Sequence, residues 1–588
     1  MGPANQPRVT IEFDVPVPMR DGTVLRANVY RPEDASGDSY PIILTRTPYG
    51  KDLPLGGSTL LPAQAARRGY IVVVQDVRGT FTSDGMWFPL LNEADDGEDT
   101  IEWAAGLPGS NGTVGMYGGS YVGFTQWATA KRRSTALRAM VPMITWDDPH
   151  NGVTTRNGVL ELGLQGYWSL MTGLNQVMRR YMGTPERLGP ALYSLVHDFD
   201  ALPVSGYSEL PLMGFGPLSR QELEEPLDYF IRTHGDMEAS EPARITSAYA
   251  HVDIPMLHIG GWYDVFLKGT LNNFTAMQSM SQSRQQLLIG PWAHGVFTSA
   301  QGDIDFGLSS SGTLLDLQAD MMTYQLLFLD RWLRGVPNGT DLAPAVKYYT
   351  MGTNVWQTAD TWPPAGTRAE NWYLHSAGHA NTSTGDGVLT TRTPEDERSD
   401  TYVYDPAHPV PTIGGATLMH PVLRPGPRDQ HPVEQRDDVL VYTSAALAEP
   451  LEVTGPVSVV LYVATDVPDT DFVARLVDVY PDGTAINITD GVTRMRWRDG
   501  MASLAPTLKP DEVYRVEIDL WSTSLVFLPG HRIRLDVTSS SFPRWDRNLN
   551  TGDNNWTTTD MRVARQRVLH DVSHPSHVVL SVLSRQER

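Results

Sequence analysis

The chain contains no cysteine in 588 residues, which excludes disulfides, a thiolate nucleophile and any cysteine-ligated zinc. It therefore carries no mark of an oxidising compartment. Basic side chains are scarce, 46 against 68 acidic ones, for a formal net charge of -22. Nucleic acid and anionic membrane surfaces both need a basic footprint, so neither is an expected partner. No apolar run approaches the roughly 18 residues of a membrane helix. The opening stretch Met1 to Thr10 lacks the apolar core of a secretion signal, so a cytoplasmic setting is expected. The Asp-rich stretch Asp466 to Asp471 has no regular calcium-loop spacing and reads as a solvated turn. No metal or cofactor is implied.

What the chain does contain is a globular composition, 41% hydrophobic and 19% charged, able to fill large cores. At roughly 100 to 200 residues per domain it should hold about three domains. Residues 8 to 18 alternate apolar and polar, and the alternation resumes at Val24, Arg26, Asn28 and Tyr30 after Arg20-Asp21-Gly22, which predicts a hairpin. Unalternating apolar runs follow: Ile42 to Leu44, Tyr70 to Val74, Gly115 to Gly118, Leu137 to Met143, Pro255 to Ile259 and Gln286 to Ile289. Such runs suit strands buried on both faces of a parallel sheet. Helical segments between them, such as Gln64 to Arg68, predict a doubly wound α/β domain with its ligand site at the carboxyl ends of the strands.

From about 147 to 247 helical spacing replaces the strand pattern, in Leu160 to Thr172 and Arg220 to His234, so a helical insertion over the active edge is expected. A long amphipathic helix is expected from Thr313 to Arg334, stopped by Gly335. Beyond Pro337 the short alternating segments Gly455 to Val463, Phe472 to Tyr480, Val513 to Leu520 and His531 to Ser539 predict an all-β sandwich or jelly roll. The stretch 365–437 reads as a connector. The expected division is 1–146 and 248–356 for the α/β domain, 147–247 for the cap and 357–588 for the jelly roll.

The strand ends carry the chemistry. Arg46-Thr47-Pro48-Tyr49-Gly50 follows the first buried strand and Asp76-Val77-Arg78-Gly79 the second. Gly118-Gly119-Ser120-Tyr121-Val122-Gly123 joins a strand to a helix, the pattern of a nucleophile elbow, although the downstream glycine stands three residues after the serine rather than two. Asp264 and His294 end later strands, so Ser120, Asp264 and His294 occur in the chain order of an α/β-hydrolase triad. Taken singly, a histidine such as His294 is more often a packed surface residue, Asp264 equally suits an Asx turn and Tyr49 a loop-packing residue.

These motifs, with Gly-Trp-Tyr-Asp at 261 to 264, Gly-Pro-Trp-Ala-His at 290 to 294 and Phe527 to Arg532 near the end, resemble the X-Pro dipeptidyl-peptidase-like serine hydrolases over most of the chain. The resemblance implies an α/β-hydrolase domain with a helical cap insertion and a C-terminal all-β jelly-roll domain. It implies Ser120 as nucleophile, His294 and Asp264 as its partners, and an oxyanion hole made of the Tyr49 hydroxyl and the Tyr121 backbone N–H. It also implies an acyl pocket containing Trp168, Phe266, Leu418 and Met419, residues that would otherwise be read as core. The implied activity is hydrolysis of a small-molecule carboxylic ester with a bulky, aromatic acyl group. Amide hydrolysis, as by acylases, amino-ester hydrolases or X-Pro dipeptidyl peptidases, is the alternative, and a non-catalytic carbohydrate-binding protein a third. Amino-ester hydrolases and acylases follow the triad aspartate with acidic residues suited to an α-ammonium, whereas here Asp264 precedes Val265-Phe266-Leu267. Gly50 replaces an acidic residue of the ester-hydrolysing members and Met419 an aromatic one. A homodimer is left open as the assembly.

Overall fold

A computed structural model describes residues 8–33, 39–53, 59–220 and 238–584. Among them, ten strands form one sheet in the order Arg8–Pro18, Val24–Glu33, Ile71–Asp76, Tyr40–Thr47, Ser110–Gly119, Leu137–Met143, Met256–Tyr263, Gln285–Ala293, Val346–Thr350, Val355–Ala359. The first two pair antiparallel about the Arg20-Asp21-Gly22 turn. From Ile71–Asp76 to Val346–Thr350 neighbours are parallel. Successive side chains of a strand point to opposite faces. Accordingly Ile42 and Leu44 pack under the helices Glu93–Ala105 and Tyr121–Ala130, and Ile43 packs with Met321–Arg334 on the other face. Burial on both faces is what made these strands uniformly apolar.

The last helix is shorter than its spacing predicts. It begins at Met321, because Asp320 caps it by accepting the Thr323 N–H at 2.6 Å. Leu317, assigned to that helix from the sequence, is 64% exposed with a positive φ in the preceding turn. The strand Gln285–Ala293 likewise runs through Pro291 rather than stopping before it.

Residues 155–201 contain a short hairpin, Thr155–Arg156 with Val159–Leu160, and the helices Leu162–Tyr181 and Pro185–Ala201. The helix expected over Arg220 to His234 falls almost wholly on 221–237, outside the described residues. Leu162–Tyr181 is tied to the loop after Ile71–Asp76: Arg179 Nη1 donates to the Phe81 carbonyl at 2.5 Å, and Asn175 Oδ1 accepts the Phe81 N–H at 3.1 Å.

The C-terminal part is all-β, with its strands linked into one further sheet in which Tyr514–Phe527 branches off to pair with Leu451–Thr465. It includes Thr367–His375, Val388–Thr390 and Asp400–Tyr404, which lie inside the stretch read as a connector. The Asp466 to Asp471 segment is also not the solvated turn expected. Asp469 and Asp471 are buried, Asp471 receiving Arg494 Nε and Nη2 at 2.9 Å each and Asn548 Nδ2 at 2.8 Å. Burial becomes tolerable because each carboxylate meets a donor. The two domains interlock, Tyr263 donating its hydroxyl to the Asn487 carbonyl at 3.2 Å and Lys268 pairing with Asp519. Among the described residues no helix is long and apolar enough to cross a membrane.

Candidate active site

Ser120 stands between Ser110–Gly119 and Tyr121–Ala130 with φ 60° and ψ -127°. A non-glycine residue with positive φ costs of order 1–3 kcal/mol and persists only where its surroundings hold it. Here the Ser120 N–H donates to the carbonyls of Met143 at 3.0 Å and Ile144 at 3.2 Å, and its own carbonyl accepts from Thr145 Oγ1 at 3.0 Å. Buried Gln126 reaches back from the helix, donating to the carbonyls of Gly118 at 3.0 Å and Val141 at 3.1 Å. The displaced glycine has a packing reason. A Cβ at Gly123 would stand 2.8 Å from Thr145 Cβ and 2.9 Å from the Met143 oxygen, so the helix approaches the neighbouring strand end only without one. Tyr121 takes the first helical position, whose N–H has no intrahelical acceptor and is available to an anion beside Ser120.

Asp264 follows Met256–Tyr263 and is fully buried; His294 follows Gln285–Ala293. The carboxylate Oδ1 lies 2.7 Å from His294 Nδ1 and also accepts the Phe266 N–H at 3.1 Å. The Asx turn and the histidine partner are thus one residue. With Nδ1 engaged, Nε2 is the nitrogen left to exchange a proton with a hydroxyl. The Phe266 ring stands edge-on to the imidazole at 5.2 Å between centroids.

Tyr49 lies in the loop after Tyr40–Thr47, where its hydroxyl accepts Trp168 Nε1–H at 3.2 Å. Burial pushes the phenol up from 10.0 to about 12, against hydrogen bonding with Trp168 and Ser120. It is therefore a neutral donor at ordinary pH. Its loop is pinned by buried Asp76, which accepts the Lys51 N–H at 2.6 Å. Gly50 has φ 98°, and a Cβ there would meet the Phe81 ring at 2.9 Å, so the absence of an acidic side chain at this position has a steric reason.

Tyr49, Ser120, Tyr121, Trp168, Phe266 and Leu418 line one cavity of about 30 Å³. Met419 does not line it; buried, it turns to pack against Gly163 of the cap helix. Leu90, Trp146, Val153, Leu164 and Gln165 complete the wall. Nothing in their local sequence separates them from core residues. A cavity needs some 10–15 Å³ to hold one water, so this one holds very little until side chains move.

Residues 21–296 match the X-Pro dipeptidyl-peptidase (S15 family), and residues 338–579 match the X-Pro dipeptidyl-peptidase C-terminal non-catalytic domain. The chain is 37% identical over 585 residues to the cocaine esterase of Rhodococcus sp. (strain MB1 Bresler), covering 98% of this chain and 99% of that protein. Among solved structures, an aminopeptidase from a marine sediment archaeon, Thaumarchaeota archaeon, superposes with a TM-score of 0.79 at 25% identity, covering 99% of this chain and 98% of that one. An alpha-amino acid ester hydrolase shares the fold, with a TM-score of 0.80 at 23% identity and the same coverage. With both family regions matched and a full-length relative at this identity, the chain belongs to the X-Pro dipeptidyl-peptidase (S15) family.

Proposed function

We propose that this protein hydrolyses carboxylic esters of bulky, aromatic acids through an acyl-enzyme on Ser120. The chain is a serine hydrolase acting on esters. Ser120 attacks the ester carbonyl, His294 takes its proton and returns it to the leaving alcohol, and water repeats the sequence to release the acid. Asp264 holds the imidazole with Nε2 free and stabilises its protonated form. The Tyr49 hydroxyl and the Tyr121 N–H receive the oxyanion, each such donor being worth about 10²- to 10³-fold in rate.

The observation that carries this reading is the 2.7 Å Asp264–His294 pair standing against the Phe266 wall of a cavity shared by Ser120 and the partly buried Tyr49. A fluorophosphonate should label the protein stoichiometrically, and Ser120→Ala should abolish labelling. Equal labelling of both proteins would dispose of the mechanism.

The acyl preference rests on Trp168, Phe266 and Leu418 and on the lack of any acidic residue among those lining the cavity. An α-ammonium has no counter-charge there, which disfavours amino-acyl substrates. The Rhodococcus relative is named for cleaving an ester, which agrees. Acetyl, butyryl and benzoyl esters of one alcohol should rank by kcat/KM with benzoyl first; a large advantage for acetyl would reject the preference. An ester and its matching anilide, assayed in parallel, separate esterase from amidase.

A further inference from the structure

Tyr121 lines the cavity, and the polar partners of its phenol oxygen are all interior. Its oxygen accepts the Leu90 N–H at 2.9 Å and donates to Glu93 Oε1 at 2.8 Å. Glu93 is ion-paired through Oε2 with Arg46 Nη1 at 2.9 Å, and the same nitrogen donates to the Glu93 carbonyl at 3.0 Å. Arg46 Nε is held by Gln75 Oε1 at 2.8 Å. Arg46, Glu93 and Tyr121 are each at most 3% exposed. One helical turn on, Asp96 receives Arg78 Nε at 2.9 Å and Nη2 at 2.6 Å, so both motif arginines grip the first turn of Glu93–Ala105.

This network joins the two sources of oxyanion donors. Arg46 is the last strand residue but one before the Tyr49 loop, and Tyr121 carries the backbone N–H beside Ser120. Thr125 Oγ1, on the elbow helix, adds a bond to the Arg46 carbonyl at 3.3 Å. Leu90, held by the same phenol, lines the cavity with φ 72°, a backbone state that leucine adopts only under constraint. Burying an ion pair and a phenol is a poor way to gain stability, since apolar groups of equal volume serve as well or better. What a buried network of directional bonds does supply is a defined placement of the groups it joins.

We propose that Glu93 and the Tyr121 hydroxyl, braced by Arg46, are positioning residues that aim the Tyr121 N–H and the Tyr49 loop at the oxyanion and hold Leu90 in the cavity wall. The inference rests on the roles given above to Ser120, Tyr49 and Tyr121. Neither Glu93 nor the phenol touches substrate; they act through backbone placement. Displacing a donor by an ångström or less weakens it mainly in the transition state, so the loss falls on kcat rather than KM.

Tyr121→Phe, which removes one oxygen, and Glu93→Gln, which keeps an acceptor for the phenol, test this on the full chain. Each should lower kcat for a good ester substrate about 10- to 100-fold, with KM changed less than about twofold. Affinity for benzeneboronic acid, which forms a tetrahedral adduct on the serine, should fall by a similar factor. Endpoint fluorophosphonate labelling should remain stoichiometric, showing that serine and base are intact. The proposal fails if kcat and boronate affinity both stay within about twofold of wild type, or if kcat and KM worsen together with a matching drop in Tm. If wild type itself neither turns over esters nor labels, the assignment of Ser120 fails and the positioning role falls with it. If wild type does both and the variants match it, only the positioning role is overturned.

Discussion

On one side of the cavity, Ser120, Tyr121 and Tyr49 stand at the ends of two neighbouring parallel strands, locked by hydrogen bonds and ion pairs that are almost wholly buried. On the other side, Trp168 comes from the cap helix, Phe266 from the turn behind Asp264 and Leu418 from the all-β domain. The first side is held by directional bonds within one sheet; the second is mostly apolar contact between three parts of the chain, with one hydrogen bond from Trp168 Nε1 to the Tyr49 hydroxyl. Directional bonds fix atoms to tenths of an ångström, while apolar contacts between pieces re-form after small shifts. In the proposed reaction the chemistry falls where geometry is stiff, and the acyl group where the wall is apolar contact. The bulky acyl groups proposed exceed a cavity of about 30 Å³, so the proposal requires the second side to yield.

The contrast can be broken at several points. The largest effect belongs to Ser120→Ala, which should lower ester kcat by about a million-fold, measured against an active-site-titrated wild type. Tyr49→Phe should cost about 10²- to 10³-fold in kcat with the acetyl-to-benzoyl ratio unchanged. A shift in that ratio would show that the stiff side also selects the acyl group. Trp168→Ala should do the reverse, moving the benzoyl preference by about tenfold to a hundredfold, read as a ratio so that its bond to Tyr49 cancels. Leu418→Ala should move it less than tenfold, as one contact among several.

The smallest expected effect is an absence. Burial raises the Tyr49 phenol from 10.0 to about 12, so the folded state keeps the proton that an exposed tyrosine loses near pH 10. The neutral donor, and the stability it lends, persist below the ordinary value and are lost only as pH rises through the raised one. The kcat profile should therefore stay flat to about pH 10. An alkaline fall centred near pH 10 that disappears in Tyr49→Phe would mean the stiff side is wet.

Much of the fold was legible because burial on both faces leaves a local signature. Ile42 to Leu44 and Tyr70 to Val74 are uniformly apolar, and they are central strands. The misreadings are equally specific. Thr313 to Asp320 shares the helical spacing of Met321 to Arg334, but the Asp320 cap starts the helix at Met321. Asp469 and Asp471 look solvated until Arg494 and Asn548 arrive from elsewhere in the chain. Leu418 and Met419 are neighbours of like character, and only their opposite orientations put one in the cavity and the other on Gly163.

The sequence by itself determined the strand order of chemistry: Tyr49, Ser120, Asp264 and His294 each follow a buried apolar run, because period and turn residues act over a few positions. Only the tertiary structure decided that Asp264 meets His294, that Arg46 and Glu93 brace the ring of Tyr121, and that three pieces close one small cavity. Those contacts depend on sheet order and on distances between residues 28 to more than 200 positions apart. No local pattern encodes such separations, since they exist only once the hydrophobic faces have been buried against one another.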